Sequence, residues 1–327
     1  MASAIAILEK EYEQKQMENS KERELKIQNA YSVSPRIKEI DLKINSLGIK
    51  CAKLSISSSS QDYKKERDKL FSEIKKLKSE KDKLLKENSL SIEPTYDCPI
   101  CKDTGYITEN GHTTMCSCMK QKLIDIRYNK LNSFRKDKEN FDNFDYNLYS
   151  NESNLELYGT KKSPRENIKQ IVKVSKEFIS NFKDENTKNL LFYGKSGTGK
   201  TFLSGCIANE FIKNGYSVVY QTAPLLLDII FDYKYNSTPK NKELYENLYN
   251  VDLLIIDDLG TENQTPAKFA ELFSLINSRI VNPNTKTIIS SNFDLDKLNQ
   301  KYDDRLISRF IGNYIILRFI GEDIRMK

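Results

Sequence analysis

Residues 1–92 carry apolar side chains at helical spacing and are otherwise highly charged. Two runs step alternately by three and four residues, which indicates a seam along one side of each of two helices. The segment SISSSSQD separates them with breaking and capping residues. An antiparallel helical hairpin is the simplest structure, with an intermolecular coiled coil as the alternative. The seam positions are Ile37, Ile40, Ile44, Leu47, Cys51 and Leu54, then Tyr63, Arg67, Leu70, Ile74, Leu77, Lys81 and Leu84.

Residues 166–327 follow a different pattern, in which short apolar runs alternate with helical segments. Such alternation predicts an α/β domain whose mostly parallel sheet is covered by helices on both faces. The predicted strands are NLLFY, SVVYQT, DLLIIDD, TKTIISSN and YIILRF.

Composition limits the class of protein without naming it. The 327 residues are 30% charged and 38% hydrophobic, with a net charge of +6, so an acidic partner such as nucleic acid is allowed. No apolar run approaches membrane-spanning length and the N-terminus lacks a signal-peptide pattern, so we expect a cytoplasmic protein without a membrane partner. Six cysteines in such a chain favour thiols or metal over disulfides.

The stretch GKSGTGKT directly after the first predicted strand fits the spacing of a phosphate-binding loop. Its glycines would let backbone N–H groups point at a phosphate, Lys200 would neutralise the β- and γ-phosphates, and Thr201 would hold Mg²⁺. A glycine-rich turn without a ligand does not explain the Lys-Thr pair. The proposed binding residues are Gly194, Lys195, Ser196, Gly197, Thr198, Gly199, Lys200 and Thr201.

Polar residues end the third and fourth strands of this domain. Asp257 would hold the Mg²⁺ water shell, and Asp258 would polarise the attacking water. Glu262 could assist or compete with them. Asn292, at the tip of a strand expected between the first and third, could sense the γ-phosphate. No Asn-Lys-x-Asp motif for guanine is present, since Asn241-Lys242 is followed by Glu243-Leu244, and ATP is therefore the expected nucleotide.

Residues 93–130 contain two close cysteine pairs. Cys98 and Cys101 form a C-x₂-C knuckle, and Cys116 and Cys118 follow after a glycine-containing ribbon. Two such pairs predict a tetrahedral Zn²⁺ module, and four unrelated buried or redox cysteines are the alternative. His112, the only histidine, could replace either cysteine of the second pair.

Residues 131–165 are rich in Asn, Tyr and Asp and predict a linker. Its aromatic residues, among them Phe141, Phe144 and Tyr146, would either lie beside the nucleotide base or dock on the domain surface.

A further aromatic and basic cluster lies in FDYKYNSTPKNK, between the second and third strands. Tyrosines there could stack on unpaired bases while lysines follow phosphates, or the segment could be an ordinary solvated loop. The candidate single-stranded DNA contacts are Tyr233, Lys234, Tyr235, Lys240 and Lys242.

Two arginines flank the last strand. Arg309 lies in RLISRF before it and Arg325 in GEDIR after it. Arginine stabilises a transferring phosphate as a permanent planar charge. An outward-pointing Arg309 would serve a neighbouring subunit's ATP, which implies a homo-oligomer when ATP is bound.

With GKSGTGKT, IIDDLG, the Ser-Asn pair, RLISRF and GEDIR, residues 140–327 resemble the AAA+ ATPases of the DnaC/DnaI helicase-loader group, whose ATPase the IstB transposition helpers share. The CPIC…CSC segment also resembles the cysteine-rich module of some loaders. The resemblance implies ATP-dependent delivery of a hexameric replicative helicase onto single-stranded DNA. It assigns Arg309 as arginine finger and Arg325 as second sensor.

Only eight residues follow Phe319, which leaves no room for the helical lid of larger AAA+ proteins and favours a weak ATPase stimulated by assembly or DNA. A transposase helper and a nucleotide-binding scaffold without significant turnover are the alternative functions.

Overall fold

The structure, a computed structural model, describes residues 4–57, 61–109, 111–128, 138–263 and 265–326. Residues 129–137 of the predicted zinc module and linker lie outside this description, as do the side chains of Tyr63 and Lys240. The chain divides into two compact units, Met1–Thr114 and Met115–Lys327. None of the described helices combines the length and apolarity that a bilayer crossing requires.

The first unit is mainly three long helices. The helices are α1 (Ala4–Val33), α2 (Pro35–Ser57) and α3 (Gln61–Glu87). Ser34 separates α1 from α2, and Pro35 occupies the first position of α2, where its missing N–H costs nothing. The cysteine segment follows α3 and contains the hairpin of β1 (Tyr106–Glu109) and β2 (His112–Met115).

Helices α2 and α3 pack antiparallel through the predicted seam. Arg36 pairs with Glu80 at 2.9 Å, whereas Lys43, farther along α2, pairs with Glu73 at 2.8 Å. Lys81, a charge on the seam, is neutralised by Asp41 at 2.6 Å. The hairpin prediction is confirmed for the apolar seam residues that form one cluster, namely Ile40, Ile44, Leu47, Leu70, Ile74, Leu77 and Leu84.

The second unit contains the predicted parallel sheet. Every strand pair in it is parallel, and the spatial order is β4-β5-β6-β3-β7. The strands are β3 (Asn189–Gly194), β4 (Val218–Thr222), β5 (Leu253–Asp257), β6 (Lys286–Ser291) and β7 (Tyr314–Phe319).

Helices cover both faces of this sheet, so successive strand residues enter different cores. Leu191 and Ile289 belong to one buried cluster, whereas Leu190 and Ile288 belong to the other. Burial on both faces explains why the strands read as continuous apolar runs. The helices of this unit are α4 (Ser117–Tyr128), α5 (Leu155–Tyr158), α6 (Pro164–Ser180), α7 (Lys200–Lys213), α8 (Ala223–Tyr235), α9 (Pro239–Asn250), α10 (Pro266–Val281), α11 (Leu295–Lys301) and α12 (Asp304–Asn313).

The α/β unit extends well before residue 166, where the sequence pattern suggested that it begins. In α4, the Gln121 side chain accepts from Val218 N–H at 2.8 Å and donates to Val218 C=O at 3.1 Å. It thus provides hydrogen-bond partners for both backbone groups of Val218 on the edge strand β4. Of the predicted linker, Phe144 and Tyr149 are buried in the domain core. The aromatic side chains of this segment therefore pack against the domain, which is one of the two placements that the sequence left open.

Candidate nucleotide-binding site

The predicted phosphate loop connects β3 to α7 and depends on backbone conformations that only glycine adopts easily. Gly194, Gly197 and Gly199 have φ values of 145°, 74° and 95°. A Cβ on Gly194 would lie 2.3 Å from the Phe319 carbonyl oxygen, so a larger residue is also excluded by packing. The Thr198 hydroxyl donates to the Lys195 carbonyl at 2.8 Å and closes the loop.

Lys200 is the buried cation of the site. Its ammonium donates to the carbonyls of Gly194 and Lys195 at 2.7 and 2.9 Å, and to Asn292 Oδ1 at 2.9 Å. Burial lowers the pKa of Lys200 to about 8, although the nearby carboxylates of Asp258 and Asp257 oppose this shift.

The two predicted acids occupy different environments at the end of β5. Asp257 is only 3% exposed, and its carboxylate accepts from Tyr220 Oη at 2.7 Å and from the Ser290 hydroxyl. Asp258 lines the cavity instead. Burial, and then the charge of Asp257, raises the pKa of Asp258, whereas Lys200 and Asn292 lower it. A raised pKa makes this carboxylate a better proton acceptor.

Asn292 connects the phosphate loop to the acids. It follows β6, which lies between β3 and β5, and its Nδ2 donates to Asp258 Oδ1 at 3.0 Å while its Oδ1 accepts from Lys200. The order of the strands thus brings Lys200, Asn292 and Asp258 into one hydrogen-bonded chain.

A cavity of about 590 Å³ opens beside these groups. This volume is in the range of small-molecule sites. One side is formed by the phosphate loop, including Ser196 and Thr201, and another by residues of the segment that the sequence predicted as a linker. Phe144 lines the cavity, whereas Phe141 and Tyr146 pack against the core around it.

The two predicted arginines are in different positions. Arg325 lines the cavity, donates to Ser196 Oγ at 3.3 Å and pairs with Asp323. Arg309 is exposed on α12, while its neighbours Leu306, Ile307 and Phe310 are buried. The other arginine of this motif, Arg305, is occupied within the chain.

Arg305 pairs with Asp303 at 2.6 Å and lies 5.8 and 5.7 Å from the ring centroids of Phe269 and Phe273. This difference between two arginines four residues apart was not visible in the sequence.

Glu262, which the sequence suggested could assist or compete with the acids, is buried and does not line the cavity. It is 3% exposed, and its carboxylate accepts from Gly260 N–H at 2.9 Å and from the Tyr302 hydroxyl.

The candidate DNA contacts do not lie on a loop. They belong to the end of α8 and the start of α9, because Thr238 accepts from Asn241 N–H and Pro239 begins the helix. Tyr233 stacks on Tyr245 at 4.5 Å between ring centroids.

The other candidates on these helices are more accessible. Tyr235 is 78% exposed. Lys234 pairs with Glu271, and Lys242 lies 3.7 Å from Glu246. The Lys240 side chain lies outside the described residues. These residues belong to helices and not to a solvated loop, which was the alternative, and a DNA contact here stays a prediction.

The cysteine segment brings its four predicted ligands together. The sulfur atoms of Cys98, Cys101, Cys116 and Cys118 all lie within 4.8 Å of one another. The Gly105 N–H donates to Cys101 Sγ at 3.4 Å, as expected for a knuckle. His112 is exposed and is not part of this group in the described part of the chain.

Four further residues shape the site and were not predicted from sequence. Tyr220 and Ser290 hold Asp257, Tyr149 donates to the Thr198 carbonyl at 3.2 Å, and Asp323 holds Arg325. In the sequence, Tyr220 and Ser290 are distinguished only by a hydroxyl within a buried strand. Tyr149 is distinguished only as one more aromatic residue in the polar segment before α6.

Comparisons with known proteins agree with the motifs. The replicative helicase loader DnaC of Buchnera aphidicola subsp. Baizongia pistaciae is 33% identical over 164 residues, covering 50% of this chain and 66% of that protein. The replicative helicase loader DnaC of Escherichia coli K12 is 28% identical over 155 residues, covering 47% and 62%. The matched part therefore spans somewhat less than two thirds of these relatives.

A solved structure of AMPPCP-bound DnaA from Aquifex aeolicus is 29% identical, with 50% of each chain covered and a TM-score of 0.43. A family model described as IstB-like ATP binding protein matches residues 126–318, which is more than half of the chain. The chain therefore belongs to the IstB-like ATP binding protein family.

Proposed function

We propose that this chain is a weak, assembly- or DNA-stimulated ATPase that loads a hexameric replicative helicase onto single-stranded DNA. The observation that carries the proposal is the convergence of the phosphate loop, Asn292 and Asp258 on one cavity. The two relatives described above, both named replicative helicase loaders, support it. Such a loader would act in the cytoplasm.

In this proposal, the loop amides and Lys200 bind the ATP phosphates, and Asp258 accepts a proton from the attacking water. Asn292 orients the γ-phosphate between these two groups, because its amide already bridges them. The hydroxyl of Thr201 and the buried carboxylate of Asp257 are oxygen ligands of the kind that Mg²⁺ prefers, and they would hold it. When bound, Mg²⁺ neutralises charge that develops on the phosphate oxygens.

The first unit would contact the helicase. Its helices expose large apolar side chains that a partner could cover, among them Met17, Leu25 and Leu42, each more than 60% exposed. The cysteine segment would stabilise this region by binding one Zn²⁺, for which four neighbouring thiols are a suitable donor set.

The second candidate function is an ATPase that assists a transposase on duplex DNA, and the match to the IstB-like ATP binding protein model is compatible with it. A nucleotide-binding scaffold without turnover is a third possibility. A measurement of ATP hydrolysis distinguishes it from the two candidate enzymes.

A helicase-loading assay tests the proposed function. We expect the chain to co-purify with a hexameric replicative helicase. With ATP, it should enable that helicase to displace a strand annealed to closed circular single-stranded DNA coated with single-strand-binding protein. Duplex-stimulated ATPase without any effect on a helicase would contradict loading and favour the transposase helper.

The lowered pKa of Lys200 predicts that ATP affinity depends on pH. The ammonium form binds phosphate, and it is lost as pH rises through about 8 in the free protein. Affinity should therefore be nearly constant below this pH and weaken by up to about tenfold per unit above it. A fluorescent ATP analogue titrated from about pH 7 to 9.5 measures this.

Lys200→Ala should lose on the order of 3 kcal/mol of binding free energy and the pH dependence with it. Lys188→Ala is the control, because Lys188 is an exposed lysine that lies before β3 and outside the site, and its substitution should leave the slope unchanged. Equal affinities of wild type and Lys200→Ala would contradict the assignment.

We predict one Zn²⁺ per chain, with Zn–S distances of about 2.3 Å. Elemental analysis and X-ray absorption measure both quantities. Cys98→Ser with Cys101→Ser should abolish zinc binding, whereas Cys51→Ser, a cysteine outside the group, should not. Zinc that survives the double substitution would refute the site, and loss of zinc in His112→Ala would restore the alternative ligand.

We predict that Arg309 completes the site of a neighbouring subunit. It is exposed on α12, whereas Arg305, which is also exposed, is held by Asp303 and lies against Phe269 and Phe273. Mixing Arg309→Ala with Lys200→Ala protein should recover part of the DNA-stimulated ATPase, since one intact arginine can face one intact pocket. Arg305→Ala alone should stay active. A mixture as inactive as either mutant would contradict a shared site.

A further inference from the structure

The turn after β5 holds its catalytic candidate in an unfavourable backbone conformation. Asp258 has a φ of 55°, in the left-handed region that residues other than glycine rarely adopt. Such a conformation persists only when surrounding interactions over-determine it, and it is typical of functional sites.

The hydrogen bonds of this turn identify what fixes it. Asp258 N–H donates to Asp257 Oδ1 at 3.1 Å and to Ser290 Oγ at 3.2 Å, and the Asp258 carbonyl accepts from the Thr261 hydroxyl at 2.8 Å. Two residues on, Gly260 N–H donates to the Glu262 carboxylate at 2.9 Å. Strand β6 thus holds the start of the turn, and Glu262 holds its far side.

Glu262 is in turn held by the junction between α11 and α12. Its carboxylate accepts from the hydroxyl of Tyr302, which is 5% exposed and is the C-cap residue of α11. The next residue, Asp303, is the N-cap of α12, the helix that carries Arg309.

A second contact joins the same elements. The Lys301 ammonium donates to the carbonyls of Gly260 and Glu262 and lies 5.8 Å from the ring centroid of Phe293, the residue after Asn292. The Phe293 ring lies so close to Gly260 that a Cβ there would be 2.7 Å from it.

We infer that Glu262 and Tyr302 are positioning residues for ATP hydrolysis, which fix the Asp258 turn against the helix that carries Arg309. This inference rests on the proposed ATPase function. Neither side chain lines the cavity, so both act through the turn and not on the nucleotide. The same contact offers a direct mechanical route by which a neighbour that engages α12 alters the placement of Asp258.

The test compares kcat with nucleotide affinity in the full chain with single-stranded DNA. Tyr302→Phe removes only the hydroxyl that holds Glu262 and should lower kcat by about 10- to 100-fold, because small displacements of a reacting group are costly. The affinity for the fluorescent ATP analogue should stay within about twofold, since the phosphate loop is untouched. Tyr31→Phe is the matched control, because it removes a hydroxyl that bonds to the Asp41 carboxylate at 2.9 Å in the other unit.

The conservative variant provides a second arm. In Glu262→Gln, the amide oxygen still accepts from Gly260 N–H and the amide group still reaches Tyr302, so most of kcat should be retained. In Glu262→Ala, hydrogen exchange at the Gly260 amide should accelerate along with the loss of kcat, whereas Glu262→Gln should keep this amide protected.

Three results would overturn the inference. The first is a Tyr302→Phe variant with the kcat of wild type. The second is a parallel loss of kcat and nucleotide affinity in that variant, because it would indicate that Tyr302 has only a structural role. Both results leave the proposed function intact. Wild-type protein without any ATP turnover overturns the proposed function and this inference with it.

Discussion

The Asn292 amide holds the candidate site together. Its oxygen accepts from the Lys200 ammonium and its nitrogen donates to the Asp258 carboxylate, so one neutral side chain separates a buried cation from an acid. Without it, the two charges would face each other directly and could close the space that a phosphate needs. This contact is possible only because β6 lies between β3 and β5.

The surrounding fold supports this contact by removing freedom from the backbone on both sides. On the phosphate-loop side, glycines accept positive φ values where a Cβ would collide with Phe319, Asp323 or Tyr149. On the acidic side, Asp258 adopts the left-handed conformation, and hydrogen bonds from its backbone to Asp257, Ser290 and Thr261 enforce it. The backbone is therefore fixed differently on the two sides. In the phosphate loop, glycines tolerate the required φ values, whereas hydrogen bonds hold Asp258 in an unfavourable conformation.

The site is also closed by segments at some distance in sequence from the strands. Tyr149 reaches the loop from before α6, and the Ile324 N–H, after β7, donates to the Gly197 carbonyl at 2.9 Å. Each contact satisfies a backbone group of the loop or packs against a glycine that has no side chain of its own. A loop made of glycines needs such outside support, because it buries little apolar surface itself.

The sequence by itself determined the strands, the phosphate loop, the acidic pair, the polar strand tip and the apolar seam of α2 and α3. These features follow from local spacing, and buried parallel strands and heptad-like seams leave strong periodic signals. The four cysteines could be grouped for the same reason, since their spacing within a short segment limits where they can lie.

Only the tertiary structure decided what each polar side chain contacts. It paired Arg305 with Asp303, kept Glu262 out of the cavity, placed the candidate DNA contacts at helix ends, and folded residues 138–149 onto the domain. Composition predicts that a segment is polar, but a few aromatic residues decide whether it packs. The partner of a charged side chain comes from a distant part of the chain, where sequence spacing carries no information about distance.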